Sequence, residues 1–158
     1  NAWPASRGTV RVAHLDLETG VESDVLTSTF RQWDAMFSPD AQWIAYNSQE
    51  SGETEVCISP FPQAGRRWQI STGGGRILSW SADGKEILYL GESQVWRVAV
   101  DPAAPDLAPS VPEPLFAVPP QLADLAAVAD HTRFLASVSR HGGAPAPLRI
   151  IRNWSAAR

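Results

Sequence analysis

A chain of 158 residues is long enough for one domain with a real core, and 44% hydrophobic with 19% charged residues is the composition of a sparsely charged globular protein. A formal charge of −4 without any run of five basic residues argues against a nucleic-acid surface. No apolar run reaches 18 residues, so no membrane-spanning helix is expected. The first residue is not Met and no leader pattern follows, which reads as a mature product, a trimmed chain or part of a longer protein.

In chain order, residues 1–8 read as a loop. Thr9–Leu17 alternates as a strand, Glu18-Thr19-Gly20 turns, and Val21–Thr29 reads as a second strand. Four strands are then expected near Asp34–Ser38, Gln42–Asn47, Glu55–Ser59 and Arg66–Ser71. Pro60 and Pro62 end the third of these, as suits an outer position where ladder hydrogen bonds are dispensable. Gly73-Gly74-Gly75 follows a strand and opens no helix, so it reads as a crossing between sheets and not as a phosphate loop. Four more strands are expected near Ile77–Ser81, Glu86–Leu90, Gln94–Val100 and Glu113–Val118. The Pro/Ala-rich stretch 101–110 reads as an extended, exposed spacer. Asp124–Val128, Thr132–Ser139 and Leu148–Trp154 close the chain as three strands around a loop at Arg140–Pro147. Leu and Ala give 122–129 some helical propensity, but the repeat described next makes it a strand.

Phe37-Ser38-Pro39-Asp40-Ala41-Gln42-Trp43-Ile44-Ala45-Tyr46 returns as Trp80-Ser81-Ala82-Asp83-Gly84-Lys85-Glu86-Ile87-Leu88-Tyr89. It returns once more, eroded, at Val128–Ala136. The three Asp residues stand 43 and then 47 residues apart, a period that with strand–turn–strand content denotes a β-propeller blade. The turn has a physical logic: Asp accepts hydrogen bonds from amides two residues on, and Gly84 takes a positive φ without cost. The runs that follow are apolar on both faces, as strands between neighbouring sheets must be. The expected fold is all-β, a single partial propeller: a partial blade over 1–29, blades over 30–72 and 73–119, and a partial blade over 120–158.

These turns, with Ile44-Ala45-Tyr46 and Ile87-Leu88-Tyr89 behind them, resemble the TolB-like, WD-like β-propeller repeats. The stretch Trp68–Gly75, Pro114-Leu115-Phe116 and a terminal Asn153-Trp154 are similar to the C-terminal propellers that some bacteria fuse to serine/threonine kinases. The resemblance covers roughly residues 9–154 and implies a six-bladed ring in a soluble bacterial protein of the cytoplasm or periplasm. Ala41 and Ala82 depart from the family's usual Gly and Pro, and the Asp130 turn lacks its Ser-Pro. No kinase motif is present, so that activity does not carry over.

Chemistry is harder to find. The lone Cys57 sits in a strand with no His nearby in sequence and reads as a buried free thiol. His14, His131 and His141 form no metal-ligand spacing; His14 and Asp16 share a strand face, and a solvated face is the plainer reading. Asp40, Asp83 and Asp130 occur once per repeat and are turn residues, not catalytic carboxylates. The seven Trp read as core. No Gly-x-Ser-x-Gly elbow occurs, and no cofactor or metal is called for. Propellers bind at the axial funnel where inner strands begin, which makes Arg31, Trp33, Asp34, Arg76 and Asp124 the candidate ligand-binding residues. Two functions compete: a binding or scaffold module for a protein or small ligand, or a weak, metal-assisted hydrolase at the axis. Two complete blades with a partial one at each end cannot close a ring, so a homodimer that completes six blades is expected.

Overall fold

The computed structural model describes residues 12–26, 28–62 and 65–139. Twelve strands and no helix occur among them. β1 (Val12–Leu15) and β2 (Glu22–Leu26) form a two-stranded antiparallel sheet. β3 (Gln32–Phe37), β4 (Trp43–Ser48), β5 (Glu55–Pro60) and β6 (Trp68–Gln69) form a four-stranded meander. β7 (Arg76–Trp80), β8 (Glu86–Leu90), β9 (Gln94–Ala99) and β10 (Glu113–Ala117) repeat it. β11 (Leu122–Ala127) and β12 (Phe134–Val138) pair as a final hairpin. These are four blade-like sheets in sequence, with the first strands of three of them, β3, β7 and β11, side by side.

Each repeat turn is built alike. Ser38 Oγ donates to Asp40 Oδ1 at 2.6 Å and accepts from the Trp43 amide at 3.0 Å. Ser81 Oγ donates to Asp83 Oδ1 at 2.7 Å and accepts from the Glu86 amide at 2.9 Å. The carboxylates also accept from the amides two residues on, Gln42 and Lys85, both at 3.1 Å. Asp130 holds Thr132 in the same way, by its amide at 3.0 Å and its hydroxyl at 2.6 Å. These hydrogen bonds, first that of the neighbouring hydroxyl, hold all three carboxyls below their ordinary range. The residue after each Asp is left-handed: Ala41 (φ 54), Gly84 (φ 74) and His131 (φ 56). Only Gly84 adopts that conformation without a Cβ penalty.

The sheets stack through three apolar layers. Val25 and Leu26 pack on Ile44, Tyr46 and Cys57. Trp43, Ala45, Val56 and Ile58 pack on Ile77, Trp80, Ile87, Tyr89 and Val98. Leu88 and Val95 pack on Leu125, with Phe116 edge-on to Phe134 at 4.8 Å. Strand β4 is buried at every position because both of its faces meet a sheet, as its apolar run Trp43-Ile44-Ala45-Tyr46 requires. Each fully buried aliphatic side chain contributes about 1.5–3 kcal/mol. The far face of the last hairpin is different: Leu135 is 72% exposed.

Some expectations change. The outer strand of the first full meander is shorter than the run Arg66–Ser71, although Ile70 still donates to the Val56 carbonyl. The stretch 101–110 is not an extended spacer. Asp101, Ala104 and Leu107 hydrogen-bond one another through the backbone, and Leu107 is fully buried in the central layer. Leu107 is the large apolar residue among Pro and Ala, and its burial folds the loop back onto the sheets. The Gly run is a crossing, as expected. Buried Glu55 takes the hydroxyl of Ser71 on one oxygen and the Gly74 amide, at 3.1 Å, on the other. A Cβ on Gly75 would lie 2.7 Å from Ser71 Cβ, so only glycine passes there. Residues 9–11, the strand expected at Leu148–Trp154, its preceding loop and His141 lie outside the described residues.

Candidate functional site

Arg31 precedes β3, Trp33 and Asp34 are its second and third residues, Arg76 opens β7 and Asp124 is the third residue of β11, so all five lie in or beside the opening residues of three adjacent strands. Each of these strands carries a register irregularity near its start, between Trp33 and Met36, Ile77 and Ser79, and Leu122 and Asp124. Such bulges re-aim the side chains beside them. Asp34 sits in one, at φ 52.

The contacts pair these residues rather than joining all five. The Arg31 guanidinium lies 4.8 Å from the Trp33 ring centroid. The Asp34 carboxylate accepts from Asn47 Nδ2 at 3.1 Å, and Asn47 Oδ1 accepts from the Ile77 amide at 2.8 Å. Asn47 is fully buried and so ties the first full meander to the start of β7, one residue from Arg76. Arg76 and Asp124 form a 3.7 Å ion pair across the next boundary. Both are well exposed, so this pair orients charge more than it stabilises.

The other titratable groups have structural partners. His14 packs edge-on to Phe37 and Phe61 at 6.2 and 5.2 Å instead of pointing to solvent with Asp16, whose carboxylate caps the turn at Glu18 and Thr19. Burial pushes the Cys57 thiol up to about 12, so it carries no thiolate at neutral pH. Among the described residues no three His, Cys, Asp or Glu come together to hold a metal ion.

One array was not anticipated. The His131 ring is nearly buried between the last two sheets, with Nε2 2.8 Å from Ser79 Oγ and Nδ1 3.4 Å from Glu86 Oε2. Arg97 approaches the other Glu86 oxygen at 3.5 Å and bonds Glu113 at 2.7 Å. Burial lowers the His131 pKa, against the raising effect of Glu86. The unfolded chain therefore takes this proton first, near pH 6.5, while the folded chain resists it. The contribution is whole above about pH 6.5 and is lost as pH falls through the lowered folded value. The thermal midpoint is expected to drop below about pH 6.5, before carboxylates titrate, and less so in His131→Asn. An acid limb identical in the two proteins contradicts this.

No family model matches the chain, and neither does any curated protein. Solved structures do. TolB from Acinetobacter baumannii superposes with a TM-score of 0.62 and 17% identity over 85% of this chain and 33% of its own. A TolB structure from Agrobacterium tumefaciens gives 0.53 and 18% over 68% and 41%. Oligogalacturonate lyase from Vibrio parahaemolyticus gives 0.49 and 17% over 78% and 34%. The chain thus spans about a third to two fifths of the length of the structures it matches. Among the described residues no helix is long and apolar enough to cross a membrane. At these identities the likeness establishes architecture: the chain has the fold of a partial TolB-type β-propeller.

Proposed function

We propose that this chain is a binding module whose contact surface is the mouth formed by Arg31, Trp33, Asp34, Arg76 and Asp124. The observation that carries this reading is the exposed Arg76–Asp124 pair beside the buried Asn47 clamp: charges of both signs, held on rigid strand starts, suit recognition of a polar partner. The assembly belongs to the same reading. A propeller needs about four to eight blades, and the described residues supply two full meanders and two hairpins. We take a second copy of the chain to close the ring as a homodimer of six blades, with an interface above about 2,000 Å². Peptides selected from a display library on the wild-type protein test the mouth. Double charge reversal, Arg31→Glu with Arg76→Glu, is expected to weaken them by at least about tenfold, or 1.4 kcal/mol. Selected peptides that ignore both changes overturn the reading.

A hydrolytic reading rests on the Ser79–His131–Glu86 array, in which a hydroxyl meets an imidazole backed by a carboxylate. Labelling of Ser79 by a fluorophosphonate, lost in Ser79→Ala, is its expected result, and an unlabelled wild-type protein contradicts it.

A further inference from the structure

The flank of the β3–β6 sheet that faces β2 carries a cleft of about 720 Å³, within the usual range for small-molecule sites. Leu26, Phe30, Gln32, Tyr46, Ser59 and Arg67 line it. Gln32 is 3% and Ser59 2% exposed, and neither side chain has a hydrogen-bond partner among the described residues. No side-chain nitrogen or oxygen among the described residues is both sealed off and unpaired, so the polar atoms of these two open into the cleft. Buried polar groups are ordinarily satisfied, and a pair left without a protein partner calls for another one.

The lining states what kind of partner. Arg67 is neutralised by an ion pair with Glu50, which also borders the cleft, so the site has no net charge to offer an ionic ligand. Phe30, 45% exposed, supplies an apolar face. An amide and a hydroxyl can each both donate and accept, as the hydroxyl groups of a sugar do. The same flank packs β2 through Ile44, Tyr46 and Cys57, and Leu26 and Tyr46 border the cleft beside that contact. We propose that this cleft binds a neutral saccharide unit, with Gln32 and Ser59 hydrogen-bonding its hydroxyls and Phe30 against its ring face. The site is separate from the mouth at the strand starts, so either reading can fail alone.

Saturation-transfer NMR with maltose, cellobiose and lactose, and with digalacturonic acid as the charged counterpart, tests this on the whole chain. Transfer to at least one neutral disaccharide is expected, with affinity reduced at least about tenfold in Gln32→Leu and in Ser59→Ala. Gln32→Leu is also expected to keep or raise the thermal midpoint, because it removes an unpaired buried amide. If Gln32→Leu does not fold, its amide serves the fold and the role given to it is wrong; Ser59→Ala then still decides on the cleft. No transfer to any of the neutral sugars, a preference for the uronic acid, or binding unchanged in both variants overturns the proposal. A raised midpoint without sugar binding overturns it too, and assigns the cleft to water alone.

Discussion

Trp80→Ala is expected to destabilise the protein by about 3–5 kcal/mol, the usual cost of truncating a buried aromatic residue. Trp80 is 7% exposed in the central layer, and its indole N–H donates to the Gly84 carbonyl at 3.1 Å across the repeat turn. The truncation therefore opens a cavity between two sheets and frees the turn at once. For a chain of this length the thermal midpoint is expected to fall by roughly 6–20 °C. Phe37 holds the corresponding place in the preceding repeat but is 46% exposed against His14 and Phe61. Phe37→Ala is expected to cost clearly less. Equal midpoints for Trp80→Ala and wild type in a thermal melt would show that the layer is packed otherwise.

Asn47→Leu is the second large effect. It keeps the branched shape of the side chain, with bulkier methyl groups, but removes the acceptor for the Ile77 amide and the donor to Asp34. The buried Ile77 N–H is left without a partner, which costs about 1–3 kcal/mol, while exposed Asp34 turns to water. Hydrogen exchange resolves the mechanism. The Ile77 amide is expected to exchange much faster in the variant, with amides in β4 and β5 changing only as far as global stability falls. Continued protection of Ile77 would mean that Asn47 does not join the two sheets.

The parts of this fold that were legible in the sequence are those a repeat makes local. Asp40, Asp83 and Asp130 mark the turns, and Trp43-Ile44-Ala45-Tyr46 and Ile87-Leu88-Tyr89-Leu90 mark strands covered on both faces. Ser38 and Ser81 carried a signal that was available and unused: a hydroxyl two residues before each Asp, able to donate to the carboxylate and accept from the returning strand. His131 was illegible for a clear reason. It stands where the other repeats have Ala41 and Gly84, and its partners Ser79 and Glu86 come from another sheet, 52 and 45 residues away. Asn47 and Gln32 share that difficulty, since their roles depend on what a neighbouring sheet presents or withholds. Leu107 shows the limit of composition as evidence: a Pro/Ala stretch reads as a spacer until one leucine finds a core to enter.

In the proposed assembly these blades belong to a ring that two copies of the chain close. The last hairpin leaves Leu135 72% and Val138 41% exposed, and the first leaves Leu15 55% exposed, apolar side chains that a packed sheet would cover. The most direct test is light scattering behind size exclusion at low micromolar concentration. A single species of twice the 17.1 kDa chain mass is expected, unchanged on dilution until the protein unfolds. A stable, folded 17.1 kDa monomer under the same conditions would contradict it.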